Sequence, residues 1–107
     1  MKYEELIETI KKAAAKADAG NIQGHVAFQF NVTGEAEGVF YLEVNEGKIR
    51  VEPYDYKDRD VLITSSAEHI IKIMNGKLDP VMAFTTRKIK VEGDLGKALL
   101  LKEIIRK

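Results

Sequence analysis

The residues of this chain whose types could do chemistry are two histidines, two adjacent serines and a few clusters of charge. His25 opens an alternating stretch and His69 sits in the first turn of an apolar repeat. A metal site needs several His, Cys, Asp or Glu at short spacing, and neither histidine has such neighbours. There is no Cys at all, which removes thiolate nucleophiles, disulfides and Cys-based metal sites. Ser65 and Ser66 have no base beside them in sequence, so capping of a helix is the better account of both. Glu35 and Glu37 lie in a Gly-bounded turn and read as solvated charges, not as an acid/base pair. Asp79 precedes Pro80 and Asp94 precedes Leu95, where a short oxygen-bearing side chain caps a helix. Lys57-Asp58-Arg59-Asp60 alternates in sign, as a solvated loop does. Arg87-Lys88-x-Lys90 is either the wet face of a strand or a place to greet an anionic head group. There is no phosphate-cradling Gly loop, no G-x-S-x-G and no H-E-x-x-H. The expectation is a non-enzyme with no catalytic residues, no metal and no cofactor.

The bounds agree. The chain has 107 residues, the size of one domain with one sizeable core. Lys+Arg and Asp+Glu are both 17, so a nucleic-acid partner, which wants a basic footprint, is not expected. No apolar run approaches the roughly 18 residues of a membrane helix. The amphipathic start MKYEELIETI is not a signal peptide, and the end IIRK is not a Ser-Lys-Leu address. A cytoplasmic protein is the expectation.

The elements that must position any site follow from periodicity. Residues Lys2–Ala19 predict a helix, with Tyr3, Leu6, Ile7, Ile10, Ala14 and Ala17 on one stripe and Gly20 as its stop. His25–Thr33 alternates, with Val26, Phe28, Phe30 and Val32 on one face. Val39–Asn45 turns Phe40, Leu42 and Val44 inward. Asn45-Glu46-Gly47 signals a hairpin into Lys48–Glu52, which Pro53 ends. After a polar connection, Val61-Leu62-Ile63 is apolar on both sides, as a more buried strand is. Ser65-x-x-Glu68 predicts a capping box and a helix with Ala67, Ile70, Ile71 and Met74 inward, stopped by Asn75-Gly76. A turn or two of helix follows Asp79-Pro80, then a strand at Arg87–Glu92, then a helix at Leu95–Arg106. Four strands are apolar on one face only, and their outer faces carry Gln29, Asn31, Arg50, Glu52, Lys88 and Lys90. The expected fold is therefore α+β: a five-stranded, mostly antiparallel sheet with one solvent-exposed face and helices packed on the other.

Projected at about 100° per residue, the last helix clusters Ala98, Leu101 and Ile105, widened by Leu100 and Ile104, while Leu95 and Leu99 fall away. It carries more apolar surface than one sheet contact uses. Either it is a core helix, or the surplus faces another helix, a second subunit or a bound lipid.

Gly76-Lys77-Leu78-Asp79-Pro80, Ala83-Phe84 and Lys88-Ile89-Lys90-Val91-x-Gly93-Asp94 before an apolar helix resemble the sterol carrier protein type 2, or sterol-binding domain, family. Phe28-Gln29-Phe30-Asn31-Val32-x-Gly34, Tyr41-Leu42-Glu43-Val44-x-x-Gly47 and Asp60-Val61-x-Ile63-Thr64 fit the same pattern, in order along almost the whole chain. Family members often have Gly near Arg87, Trp in the second strand where Val39-Phe40 stands here, and Lys at Glu92. The resemblance implies one such domain over residues 1–107, with an apolar tunnel between sheet and helices bordered by the C-terminal segment. It implies non-catalytic binding and transfer of a hydrophobic small molecule: fatty acid, fatty acyl-CoA, sterol or isoprenoid-like lipid. The expected lining is Ile70, Met74, Val81, Met82, Phe84, Leu95, Leu99 and Ile104, over a floor of Phe28, Phe30 and Phe40. A monomer or weak homodimer with at most transient membrane contact is expected. The alternative is an accessory module that dimerises or docks a lipid-metabolising enzyme. An enzyme acting on an acyl thioester would need a nucleophile or acid/base pair that these residues do not supply.

Overall fold

Alternation writes the first three strands: β1 (His25–Thr33), β2 (Gly38–Asn45) and β3 (Lys48–Glu52). In the computed structural model, which describes residues 1–105, they form an antiparallel meander in which Phe28 faces Leu42 and Phe30 faces Phe40. The β2–β3 hairpin turns on Glu46 and Gly47, both left-handed (φ 51° and 81°), the pairing a two-residue turn requires. β2 starts at Gly38 because Tyr3 lies on that backbone. A Cβ there would run into the Tyr3 ring, whose hydroxyl donates to Val39 O.

β4 (Val61–Ser66) pairs with β1 in parallel, and β5 (Lys90–Gly93) pairs antiparallel with β4. The order is β3-β2-β1-β4-β5. β4 has neighbours on both sides, as its two-sided apolar sequence requires. β5 is shorter than the alternation of Arg87–Glu92 suggests, because Arg87 and Lys88 are used to cap the preceding helix.

The parallel β1–β4 pair forces a crossover, and residues 53–60 make it without a helix. They cross the face opposite the helices, so the centre of that face is covered while its rim stays wet. Gln29 and Tyr41 are buried there. Gln29 Oε1 accepts from Tyr56 N at 2.9 Å, and the Tyr41 and Tyr56 rings meet edge-on at 4.9 Å. The buried amide is thus satisfied, as burial demands.

The helices are α1 (Tyr3–Ala15), α2 (Ala67–Met74), α3 (Pro80–Thr85), α4 (Leu95–Ala98) and α5 (Leu100–Ile104). α1 stops a turn before Gly20. Asp18 takes the Gly20 N–H on its carboxylate and gives its own N–H to Ile104 O, so the backbone there serves other partners. The cap of α2 is Ser66, which accepts from His69 N; Ser65 instead donates to Lys88 O at 2.8 Å. The cap therefore lies one residue later than expected, and the reciprocal Ser65–Glu68 box does not form. The last helix is broken at Leu99, and Arg106, its expected end, lies outside the described residues.

α1 and α2 pack against each other over one half of the inner face. Ala13 and Ala14 let α1 approach closely, and Phe28, Phe30, Phe40, Leu42, Ile70 and Ile73 fill the space completely. Phe30 and Phe40 stack with centroids 4.7 Å apart. α3, α4 and α5 cover the β4–β5 end, and that is where the packing opens.

Candidate functional site

Asp79 caps α3 by accepting from Met82 N at 3.0 Å, and Pro80 opens its first turn. This short helix buries Ala83 and leaves Val81 and Phe84 at the surface. Asp94 caps α4 by accepting from Lys97 N at 3.0 Å. α4 contains no buried residue, whereas α5 anchors through Leu101 and Ile104, which are fully buried. Between these helices and the sheet edge lies a cleft of about 160 Å³. Ile63, Ile89 and Val91 form its floor, Pro80, Val81 and Phe84 one wall, and Leu95, Ala98, Leu99 and Leu101 the other. Lys102, which reaches Asp79 at 3.5 Å, is the charged lining residue.

Four of the expected lining residues, Val81, Phe84, Leu95 and Leu99, come together at this cleft. Phe28, Phe30, Phe40, Ile70, Met74 and Ile104 are buried in the core and do not line it, and Met82 is 56% exposed on the outside of α3. Ile63, Ile89 and Val91 line the cleft without having been singled out. The inward position of Ile89 and Val91 was legible from alternation, that of Ile63 was not because its strand is apolar on both sides, and an inward residue reads alike over a core and over a cleft. The exposure of Leu95 (55%) and Leu99 (58%) matches the surplus apolar surface read from the last helix.

The charges around the cleft hold its elements. Asp60 Oδ1 takes Lys97 Nζ at 3.0 Å and Asp60 Oδ2 takes Ala27 N at 2.9 Å. Burial pushes the Asp60 carboxyl up, but the Ala27 and Lys97 hydrogen bonds outweigh it and hold the group below its ordinary value. The same hydrogen bond raises Lys97.

The chemistry-bearing residues serve structure. His25 Nε2 lies 2.6 Å from Glu43 Oε2, and Tyr56 Oη donates to Glu43 at 2.8 Å, clamping the crossover. The His25 contact, with help from Tyr56, holds Glu43 low, while the Glu43 hydrogen bond pushes Tyr56 up to about 12. His69 Nδ1 is 3.4 Å from Ser65 Oγ, whose proton goes to Lys88 O. Among the described residues, no three His, Cys, Asp or Glu side chains are grouped to hold a metal ion. None of the described helices is long and apolar enough to cross a membrane.

An open five-stranded mixed sheet with helices on one face and a gap under the last two is the fold of the sterol carrier protein 2-like proteins. It superposes on palmitated SCP2L2 from Aedes aegypti with a TM-score of 0.69, at 26% identity, over 100% of this chain and 96% of that one. Residues 4–106 match the model of the SCP-2 sterol transfer family, and the chain belongs to that family. Among curated proteins it is 35% identical to the hydroxysteroid dehydrogenase-like protein 2 of Xenopus tropicalis over 73% of the chain. It is 30% identical to that of Danio rerio over 94%. It spans 19% and 24% of the lengths of those two relatives.

Proposed function

We propose that this protein binds and transfers lipids of the fatty acyl class, without catalysis, in the cleft between α3, α4 and the β4–β5 edge. The observation that carries the reading is convergence. Of the large apolar side chains left exposed, Val81, Phe84, Leu95 and Leu99 all ring one apolar cleft. The palmitated state of the Aedes aegypti relative supports an acyl chain as occupant.

Magnitudes decide how the cleft must work. A dry cavity near 150 Å³ takes a benzene-sized group, about six carbons. At about 0.8 kcal/mol per buried methylene, six carbons yield roughly 5 kcal/mol, which association costs consume. About fifteen methylenes yield on the order of 12 kcal/mol. The cleft at rest therefore admits only a chain end, and useful affinity needs it to widen. α5 is anchored by Leu101 and Ile104, while α4 is held by its cap and the Lys97–Asp60 pair. The cover that moves is α4, hinged at Leu99.

The test is titration with hexadecanoate by calorimetry, beside native mass spectrometry of protein purified from cells. One chain bound per protein, lost in Leu99→Glu with the fold intact, supports the reading. Protein that arrives bare and refuses added hexadecanoate overturns it.

A further inference from the structure

A second depression adjoins the cleft and differs from it in charge. Thr64, Arg87, Lys88 and Lys90 line it, and it shares Phe84, Ile89 and Val91 with the apolar cleft. Its volume is about 440 Å³, open to solvent at the β5 edge. Arg87, Lys88 and Lys90 are all exposed. Among the described residues, neither Arg87 nor Lys88 enters an ion pair, and Lys90 meets Glu92 only at 3.9 Å. Arg87 also stands at a left-handed position (φ 62°) that glycine would occupy at lower cost. Positive charge thus gathers, largely uncompensated, where three apolar residues lead into the cleft.

We infer that Arg87, Lys88 and Lys90 form a head-group subsite, so that the preferred ligand is an anionic amphiphile, a carboxylate or phosphate ester with one alkyl chain, over its neutral analogue. The inference deepens the acyl-carrier reading and rests on it. The alkyl chain passes over Phe84 and Ile89 into the cleft, and the anion stays in water beside three cations. Exposed charges act weakly and are screened by salt, so the preference is modest.

The experiment compares dodecanoate, dodecyl phosphate and dodecanol on the whole chain, with inorganic phosphate as competitor. The wild type is expected to favour both anions over dodecanol by about tenfold at about 50 mM salt, and by less at about 500 mM. The variant Arg87→Gln/Lys88→Gln/Lys90→Gln should lose that preference while keeping its dodecanol affinity. Lys11→Gln/Lys12→Gln/Lys16→Gln, an equal charge change on the outer side of α1, should keep it. Failure of phosphate alone to compete supports an amphiphile as the source of the anion. Equal binding of all three amphiphiles by the wild type overturns the subsite and leaves the carrier reading standing. Refusal of all three overturns both. A preference that survives the triple variant overturns the subsite, even if the variant no longer binds vesicles rich in anionic lipid.

Discussion

Asp60 and Lys97 tie the cover of the cleft to the middle of the sheet. The 3.0 Å pair joins α4 to a carboxylate whose other oxygen takes the Ala27 N–H, and Asp60 N returns a hydrogen bond to Ala27 O at 2.9 Å. Asp94 N, at the cap of α4, also donates to Asp60 O. Strand, crossover and cover therefore meet at one residue.

Acid should loosen that tie. Asp60 is held below its ordinary value, so near and below about pH 4 the unfolded chain takes up a proton that the folded chain resists. The stability this carboxylate contributes is present at neutral pH and is lost as pH falls through its folded value. Asp60→Asn should cost about 1 kcal/mol at pH 7 and flatten the acid limb of stability in urea titrations. It should also speed hexadecanoate release, since Lys97 loses its partner.

Alkali should act through Tyr56. Its pKa of about 12 lies above the ordinary tyrosine value near 10, so the unfolded chain ionises first and stability falls as pH rises between the two. Ultraviolet titration should show the Tyr56 phenol ionising near the upper value. In Tyr56→Phe that late step disappears, and Glu43 loses a donor.

Arg87 offers a stabilising change. After α3, Arg87 N donates to Phe84 O and Lys88 N to Ala83 O, a left-handed cap that glycine favours. Gly76 fills the matching place after α2, with φ 75°. Arg87→Gly should raise stability by about 1 kcal/mol. The same change should weaken the preference for anionic amphiphiles, and thermal melts beside dodecanoate titration separate the two effects.

The cleft itself can be filled. Ala98 lines it on α4 and is half-buried. Ala98→Phe should reduce hexadecanoate affinity by about tenfold or more, while stability changes by less than about 1 kcal/mol because α4 has no tightly packed side. Leu101→Ala, which removes an anchor of α5, should cost about 3 kcal/mol.

Legibility followed the physics of each segment. His25–Thr33 and Lys48–Glu52 were read to the residue because a period of two changes sharply at Gly24 and Pro53. The end of α1 was overrun because Ala17 and Ala19 keep helical composition, while the Asp18–Gly20 turn and the distant Ile104 carbonyl take the backbone out of the helix. The polar stretch Tyr54–Arg59 betrayed nothing of its path over Gln29, since a loop that caps a sheet and a loop in water share a composition. The cleft was half legible. Surplus leucines on the last helix pointed to it, but the phenylalanines of β1 and β2 were as apolar as its floor, and sequence spacing does not measure the space left once α1 has docked.

The parallel pairing of β1 with β4 has a consequence for how the cleft is joined to the rest of the sheet. β1, β2 and β3 join through short local hairpins. β4 pairs with β1 across more than thirty residues of chain, for example Phe28 with Val61. Contacts of such sequence separation cost more loop-closure entropy than the local hairpins do. β5, α3 and α4 build on β4, so the wall of the cleft rests on a pairing of long sequence separation. Within the sheet, the wall of the cleft is therefore joined to the β1–β2–β3 meander through one strand, β4, so a change in that wall leaves the local hairpins as they are.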